Sequence, residues 1–338
     1  MNVNSIDFVI LWVDGSDKKW RDKKEKYSET PIIANNQDIN RYRDWGTLKY
    51  WFRAVEEFAP WVNMIYLVTD DQKPDWLNLS NSKVKVIDHK QIIKSKYLPT
   101  FNSQAIEVNL HRIPNLSNQF VYFNDDMFLG KKVEPTDFFK NGNPVQVANI
   151  NAGTGMKGDE LYARTMFNNT LIINKHFEKN KIIKNHLTKW VNIRYGSINV
   201  RTISQLIYPY FTGYKPQHAP TPMLKETYNK IWAKEYKILE ETSSHKFRHE
   251  HDVNQDLFQW WQLCENRFVP QKAKYSKFIH QNSEDIETIK KTILSNRYKT
   301  ICLNDDISTL SKKEEHIIKE AVLYAFEKKH SHKSNFEK

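Results

Sequence analysis

The chain has 338 residues, 39% of them hydrophobic and 13% aromatic, which is enough for one large domain or two modest ones with a substantial core. No apolar stretch approaches the roughly 20 residues that span a bilayer, and the N-terminal residues lack the basic-then-apolar order of a signal peptide. The formal charge of +11 favours anionic partners, but no zinc-finger spacing, basic-zipper heptad or aromatic RNA-binding signature accompanies it, so nucleic acid is not an expected partner.

The first predicted strand is Phe8–Val13, a continuous apolar run that stops at Asp14-Gly15. Lys18–Asn40 is charged and reads as a surface segment with some helix. Leu48, Trp51, Phe52, Val55 and Phe58 recur at helical spacing, and Pro60 ends that helix. Strands follow at Met64–Val68, tipped by Thr69-Asp70-Asp71, and at Val84–Ile87, tipped by Asp88-His89. Ile106, Leu110 and Ile113 mark a helix stopped by Pro114; Phe120–Phe123 is a fourth strand and runs into Asn124-Asp125-Asp126. Strand–helix alternation implies parallel pairing, because a parallel connection needs a crossover. The expected fold class is therefore α/β, a doubly wound, mostly parallel sheet over residues 1–150.

Residues 151–311 are expected to be mainly helical. Leu171-Ile172-Ile173 reads as a strand, 178–195 as a basic helix, Pro216–Pro222 as a stiff loop, and Met223–Leu239 and Val253–Leu263 as helices. Residues 312–338 combine an amphipathic helix (Ile317, Ile318, Ala321, Val322, Ala325) with a frayed polar tail. The two cysteines, Cys264 and Cys302, have no metal-ligand spacing and read as free thiols in a reducing compartment.

All four predicted strands of the first half end in acids. Parallel strands bring their C-terminal ends to one edge, where open α/β sheets bind ligands. Asp is also a preferred turn and helix-cap residue, which explains one such tip better than four. Carboxylates crowded at an edge raise one another's pKa, and a bound cation relieves that. Asn124-Asp125-Asp126 resembles the acidic tip with which many nucleotide-sugar transferases hold a metal, and Mg²⁺ (or Mn²⁺) takes one or two carboxylates plus substrate phosphates.

Three other clusters carry chemistry. Glu107 and His111 are four apart and share a helix face behind Asn102-Ser103, as a surface ion pair or as ligand contacts. His218 sits in Lys215–Met223, whose prolines limit the entropy lost on holding an imidazole. Histidine is the usual base near neutral pH, although most loop histidines do no chemistry. Phe247–Asp252 contains Arg248, whose planar fork suits phosphate oxygens, two histidines without a third soft ligand, and Asp252 as a cap for the next helix.

Taken together these stretches resemble the Stealth family. Ile10–Asp17 is similar to its first signature. Arg41–Tyr50, continuing through Ala59-Pro60-Trp61, Ile65–Asp70, Pro74–Leu77, Phe101–Ser103, Ile106-Glu107, His111–Ile113 and Tyr122–Asp126, is similar to the second. Pro216–Met223 and Phe247–Asp252 resemble the third, and Ile301–Asp305 the short fourth. The matches keep their order over roughly three hundred residues.

The resemblance implies a nucleotide-sugar transferase-like fold and a sugar-1-phosphate transferase of bacterial capsule, cell-wall or exopolysaccharide synthesis. The animal relative is the catalytic subunit of the lysosomal-enzyme N-acetylglucosamine-1-phosphotransferase. A UDP-sugar donor, a glycan or lipid-linked oligosaccharide acceptor, release of UMP and a phosphodiester product follow from it. So do the roles: Asp125 and Asp126, helped by Asp305, for the metal; Asp14, Arg43, Asn102, Glu107 and His111 for the donor; Arg248 for the transferring phosphate; His218 for the base, with Asp252 as the alternative. Residues 1–150 would bind the nucleotide sugar and 151–311 complete the same site. The expected location is the cytoplasm, with peripheral contact between a basic surface and the inner face of the membrane. Two other readings stay open: a metal-dependent glycosyltransferase releasing UDP, and a non-catalytic polyanion-binding protein.

Overall fold

The computed structural model describes residues 5–28, 42–155, 159–281, 285–305 and 310–338. Arg41 and residues 29–40 of the charged 18–40 segment lie outside the described residues. Eleven strands are described: β1 (Ile6–Leu11), β2 (Ile65–Thr69), β3 (Val84–Asp88), β4 (Gln119–Phe123), β5 (Met127–Leu129), β6 (Phe139–Lys140), β7 (Asn143–Gln146), β8 (Thr221–Leu224), β9 (Val269–Pro270), β10 (Ser276–His280) and β11 (Thr300–Asn304). They form a five-stranded sheet in the order β3-β2-β1-β4-β8 and two three-stranded sheets, β10-β11-β5 and β6-β7-β9. No helix among the described residues is long and apolar enough to cross a membrane.

In the main sheet β1, β2, β3 and β4 are parallel and β8 is antiparallel to β4. The first four strands bear out the doubly wound expectation. Their apolar residues alternate between two cores. Phe8, Ile10, Leu67, Val121 and Phe123 face one, which includes the helix Leu48–Phe58. Val9, Tyr66, Val68, Phe120 and Tyr122 face the other, under the helices Lys225–Lys234 and Gln255–Cys264. Burial on both faces is why these strands read as unbroken apolar runs. Strand order reverses between β1 and β4, and a ligand crevice opens at such a switch point.

Several expectations for the second half are corrected. Leu171-Ile172-Ile173 lies inside the helix Glu160–His176, whose buried Thr165, Asn169, Ile172 and Ile173 recur at helical spacing. A short apolar run alone cannot separate strand from helix. Pro222 and Met223 belong to β8, and two helices, Lys225–Lys234 and Tyr236–Ser244, follow it. Asn254, whose side chain accepts from Asp256 N, caps the helix Gln255–Cys264, rather than Asp252. The expected helix at 312–338 is present as Lys312–Lys329, with Ile318, Val322, Ala325 and Phe326 buried. The tail after it does not fray. Phe336 is buried, and Glu337 takes a bidentate grip from Arg53 (Nε to Oε1 2.8 Å, Nη2 to Oε2 2.9 Å).

Candidate active site

The site is assembled by pairing between distant segments at the β1/β4 switch point. β8 begins opposite Tyr122, so the loop that precedes it hangs over the tip of β4. His218 in that loop places Nε2 3.4 Å from Asp126 Oδ2. On the other side β11 pairs with β5, Cys302 opposite Met127, and Leu303 N donates to Asp126 O at 2.9 Å. The Cys302 thiol thereby donates to Asp126 Oδ2 at 3.2 Å. Asp126 Oδ1 is buried with no hydrogen-bond partner among the described residues.

A second approach brings the segment 42–47 across the tip of β1. Gly15 N donates to Tyr42 O at 2.9 Å, and a Cβ at Gly15 would lie 2.1 Å from that oxygen, so only glycine fits. Asp14 beside it accepts from Ser16 N and Oγ at 2.8 and 2.6 Å. Asp305, just past β11, accepts from Trp45 Nε1 at 2.8 Å and from Arg43 Nη1 at 3.3 Å. Burial, then the charges of Asp126, Asp44 and Asp305, push the Asp125 carboxyl well above its usual range. Asp44 is raised too, by burial first and by the charge of Asp14 among other causes. Asp14, Asp44, Asp125, Asp126 and Asp305 thus form one coupled group of acids contributed by four separate segments. Sequence reasoning missed Asp44, although it stands inside the quoted motif Arg41–Tyr50.

The other two acidic tips do not join them. Lys23 pairs with Asp70 at 2.9 Å and Lys19 with Asp71 at 2.7 Å, while Asp88 caps the turn His89–Gln91. These residues line a separate cleft of about 1020 Å³ against the helix Lys18–Glu25. The expected crowding of all four tips is therefore corrected to two, with Lys partners and capping accounting for the rest.

Facing the acids is a wall of titratable groups. Glu107 is buried, accepts from Tyr122 OH and Gln255 N at 3.2 Å each, and is pushed up by burial despite the charges of Arg248 and His218. Tyr122 OH also bonds Asn124 Oδ1. Arg248 Nη2 donates to Ser103 Oγ at 3.3 Å. Asp256, at the start of the next helix, is pushed up to about 7 by burial, with Glu107 adding to it. Burial lowers the pKa of His218, but the charge and hydrogen bond of Asp126, then Asp256 and Glu107, outweigh that and hold it above its ordinary value. Asp256 also escaped sequence reasoning, since a first-turn acid of a helix reads as a dipole partner.

Two candidates fall outside the reacting surface. Asp252 is fully buried, and both its oxygens are occupied: Asn102 Nδ2 and His249 N donate to Oδ2 at 2.8 Å each, and His245 Nδ1 lies 2.6 Å from Oδ1. It ties the 245–252 loop to the cap of the helix Ser103–Glu107, and its lone pairs are too committed for a base. His111 does not share a face with Glu107, because that helix ends at Glu107 and a separate 3₁₀ turn spans Leu110–Arg112. Its ring packs on Tyr228 and Trp232, near Lys225 at the start of β4, and burial drives its pKa down to about 3.

The acids fit a divalent cation. Carboxylate oxygens suit Mg²⁺ or Mn²⁺, a buried Asp126 Oδ1 has no hydrogen-bond partner among the described residues, and Asp125, raised by burial and then by three neighbouring acids, carries repulsion a cation would relieve. His218 and Cys302 add a nitrogen and a sulfur within 4.8 Å of the Asp126 carboxylate and of one another.

Models of Stealth protein conserved region 1 and conserved region 2 match residues 4–30 and 41–147. An exopolysaccharide phosphotransferase of Lactiplantibacillus plantarum is 41% identical over 334 residues, 98% of this chain and 96% of the relative. A receptor polysaccharide phosphotransferase of Streptococcus oralis is 40% identical over 311 residues, 90% of this chain and 91% of the relative. A capsular polysaccharide phosphotransferase of Streptococcus pneumoniae is 37% identical over 340 residues, covering 100% of this chain and 99% of the relative.

Proposed function

The chain belongs to the Stealth family and is a transferase of phosphorus-containing groups, and we propose that it moves a sugar-1-phosphate from a UDP-sugar to a hydroxyl of an acceptor glycan, building a phosphodiester-linked surface polysaccharide and releasing UMP. The observation that carries this reading is the 3.4 Å approach of His218 to Asp126, an imidazole beside an acidic strand tip with Arg248 and Glu107 behind it.

Asp125, Asp126 and Asp305 would hold Mg²⁺ or Mn²⁺, which when bound neutralises diphosphate charge and eases departure of the nucleotide phosphate. His218 Nε2 takes the proton of the attacking hydroxyl as its oxygen bonds the phosphorus nearer the sugar and the P–O bond to UMP breaks. The negative charges of Asp126, Asp256 and Glu107 stabilise the imidazolium so formed. Arg248 meets the equatorial phosphoryl oxygens, where charge develops, with Ser103 steadying its guanidinium. Asn102 and Asp252 hold the two loops that carry Ser103 and Arg248 in register. Arg43 and Trp45 orient Asp305, and Asp14, at the tip of β1, would meet the nucleotide. The reaction takes place at the cytoplasmic face of the membrane, where acceptors of this kind are lipid-linked.

Incubation with a panel of UDP-sugars, acceptor glycan and Mg²⁺, followed by mass spectrometry of the nucleotide, tests this. UMP is the expected product. UDP would replace the proposal with glycosyl transfer, in which the acceptor hydroxyl attacks the anomeric carbon and UDP leaves.

A further inference from the structure

Between Glu178 and Glu226 the chain has no acidic residue and eight lysines and arginines. The same stretch concentrates exposed apolar surface. Of the fourteen large apolar side chains exposed among the described residues, six fall between positions 193 and 210, and Ile193 and Ile207 are 94% and 80% exposed. Single exposed hydrophobes are ordinary, but a cluster of them marks an interaction site.

The helix Ile198–Ser204 and the turn after it show why this cluster is not core turned outward by chance. Ile198 and Thr202 of the helix and Leu206 of the turn pack inward. Val200 and Ile203 of the helix and Ile207 of the turn are exposed. A helix that is apolar on both sides normally has partners on both sides. The segment is also braced: Lys179 Nζ donates to Gln205 O and Leu206 O at 2.8 and 3.3 Å and also bonds Tyr208 O. Arg194 and Arg201 are exposed around the apolar face, and neither has an acidic partner among the described residues. Tyr210, 66% exposed, adds an aromatic ring of the kind that settles at membrane interfaces.

We infer that residues 193–210 form a membrane-docking knob that inserts Ile193, Val200, Ile203 and Ile207 among the acyl chains of an anionic leaflet while Arg194 and Arg201 bind the headgroups. Charge complementarity selects this occupant, because residues 193–210 carry two exposed arginines and no acidic residue, which matches a uniformly negative surface better than a protein surface of mixed sign. The chain passes from the knob through Phe211–Tyr214 into the loop that carries His218, so docking would tether that loop within a few residues of the bilayer. That use rests on the proposed function; binding itself does not.

Flotation with phosphatidylglycerol-containing vesicles, against pure phosphatidylcholine vesicles, tests the inference with the full chain. The protein should float with the former, less so as salt rises, and not with the latter. The variant Val200→Ser/Ile203→Ser/Ile207→Ser, all at exposed positions, should lose roughly tenfold or more in partitioning while keeping its melting temperature. Arg194→Gln/Arg201→Gln should weaken binding and flatten its salt dependence. Both variants should release UMP at the native rate with a water-soluble acceptor, and absence of that activity in the unaltered chain would count against the transferase reading alone. Failure to float at low salt, or floating undiminished by the triple substitution, overturns the knob. So does light scattering that finds a dimer dissolved by that substitution, since a second copy would then cover the face.

Discussion

His218 stands over Asp126 because β8 runs antiparallel to β4 and starts where β4 ends. The imidazole comes from a loop with no acid of its own and borrows its charge environment from a strand tip, a helix at Glu107 and another at Asp256. This sharing makes His218→Gln the most direct test of the proposed proton transfer. We expect kcat to fall by about 10²- to 10⁴-fold with the donor KM nearly unchanged, measured by UMP release. An unchanged kcat would remove His218 from the mechanism.

Asp125 should be costly to stability and indispensable to turnover. Its carboxyl is raised by burial and by three neighbouring acids, so an amide of equal size relieves repulsion. Asp125→Asn should melt higher than the unaltered chain in chelator, by roughly 2–4 °C per kcal/mol of repulsion removed. Adding Mg²⁺ or Mn²⁺ should raise the melting temperature of the unaltered chain and not of the variant. Excess chelator should abolish UMP release.

Arg248→Ala is expected to cost about 10²- to 10³-fold in kcat, as loss of a charge-stabilising donor does. Arg248→Lys should recover little, because a point charge does not reproduce a planar fork. Ser103→Ala removes only the 3.3 Å contact to the guanidinium and should cost less than tenfold in single-turnover assays.

Acid should destabilise the fold through buried histidines. Burial lowers His89 to about 4 and His111 to about 3. Both are therefore neutral in the folded chain at pH values where the unfolded chain already binds a proton. Their contribution is complete above about pH 6.5 and is lost progressively as pH falls from there to those two values. For His89 the loss is on the order of 3 kcal/mol. Melting curves between pH 7 and pH 4 should show it, and His89→Gln should flatten the dependence.

The C-terminal tail that Arg53 holds is also open to mutation. Arg53 and Glu337 are buried partners, and Arg53 Nη1 also donates to His330 O at 2.7 Å. Glu337→Ala leaves a buried guanidinium short of its bidentate partner and should cost about 3 kcal/mol in denaturant unfolding. A change below about 0.5 kcal/mol would show that Glu327, 3.3 Å from Arg53 Nη1, compensates.

The parallel half of the fold was legible because β1, β2 and β4 are buried on both faces and leave continuous apolar runs. β8 was not, since Pro222 argues against a strand. At the sheet edge that proline loses nothing, and its carbonyl accepts from Gln146 and Gln262. Asp125 and Asp126 stood out as a strand tip, whereas Asp44 and Asp256 lie on segments whose approach depends on the packing of Tyr42 against Gly15 and on the cap at Asn254. Cys302 offered no spacing to read, because its partner Asp126 is reached through strand pairing. Asp252 misled because three hydrogen-bond donors, invisible in the sequence, use up a carboxylate that looks reactive there.

The pairing of β11 with β5 also sets when the protein can begin to work. Asp126 leaves the ribosome long before Thr300–Asn304, the strand that seats Cys302 against it and delivers Asp305. An unfinished chain carries the acidic tip without its last wall, so the proposed site cannot close before synthesis is nearly complete, and a nick that frees β11 would open it in a molecule whose main sheet still stands.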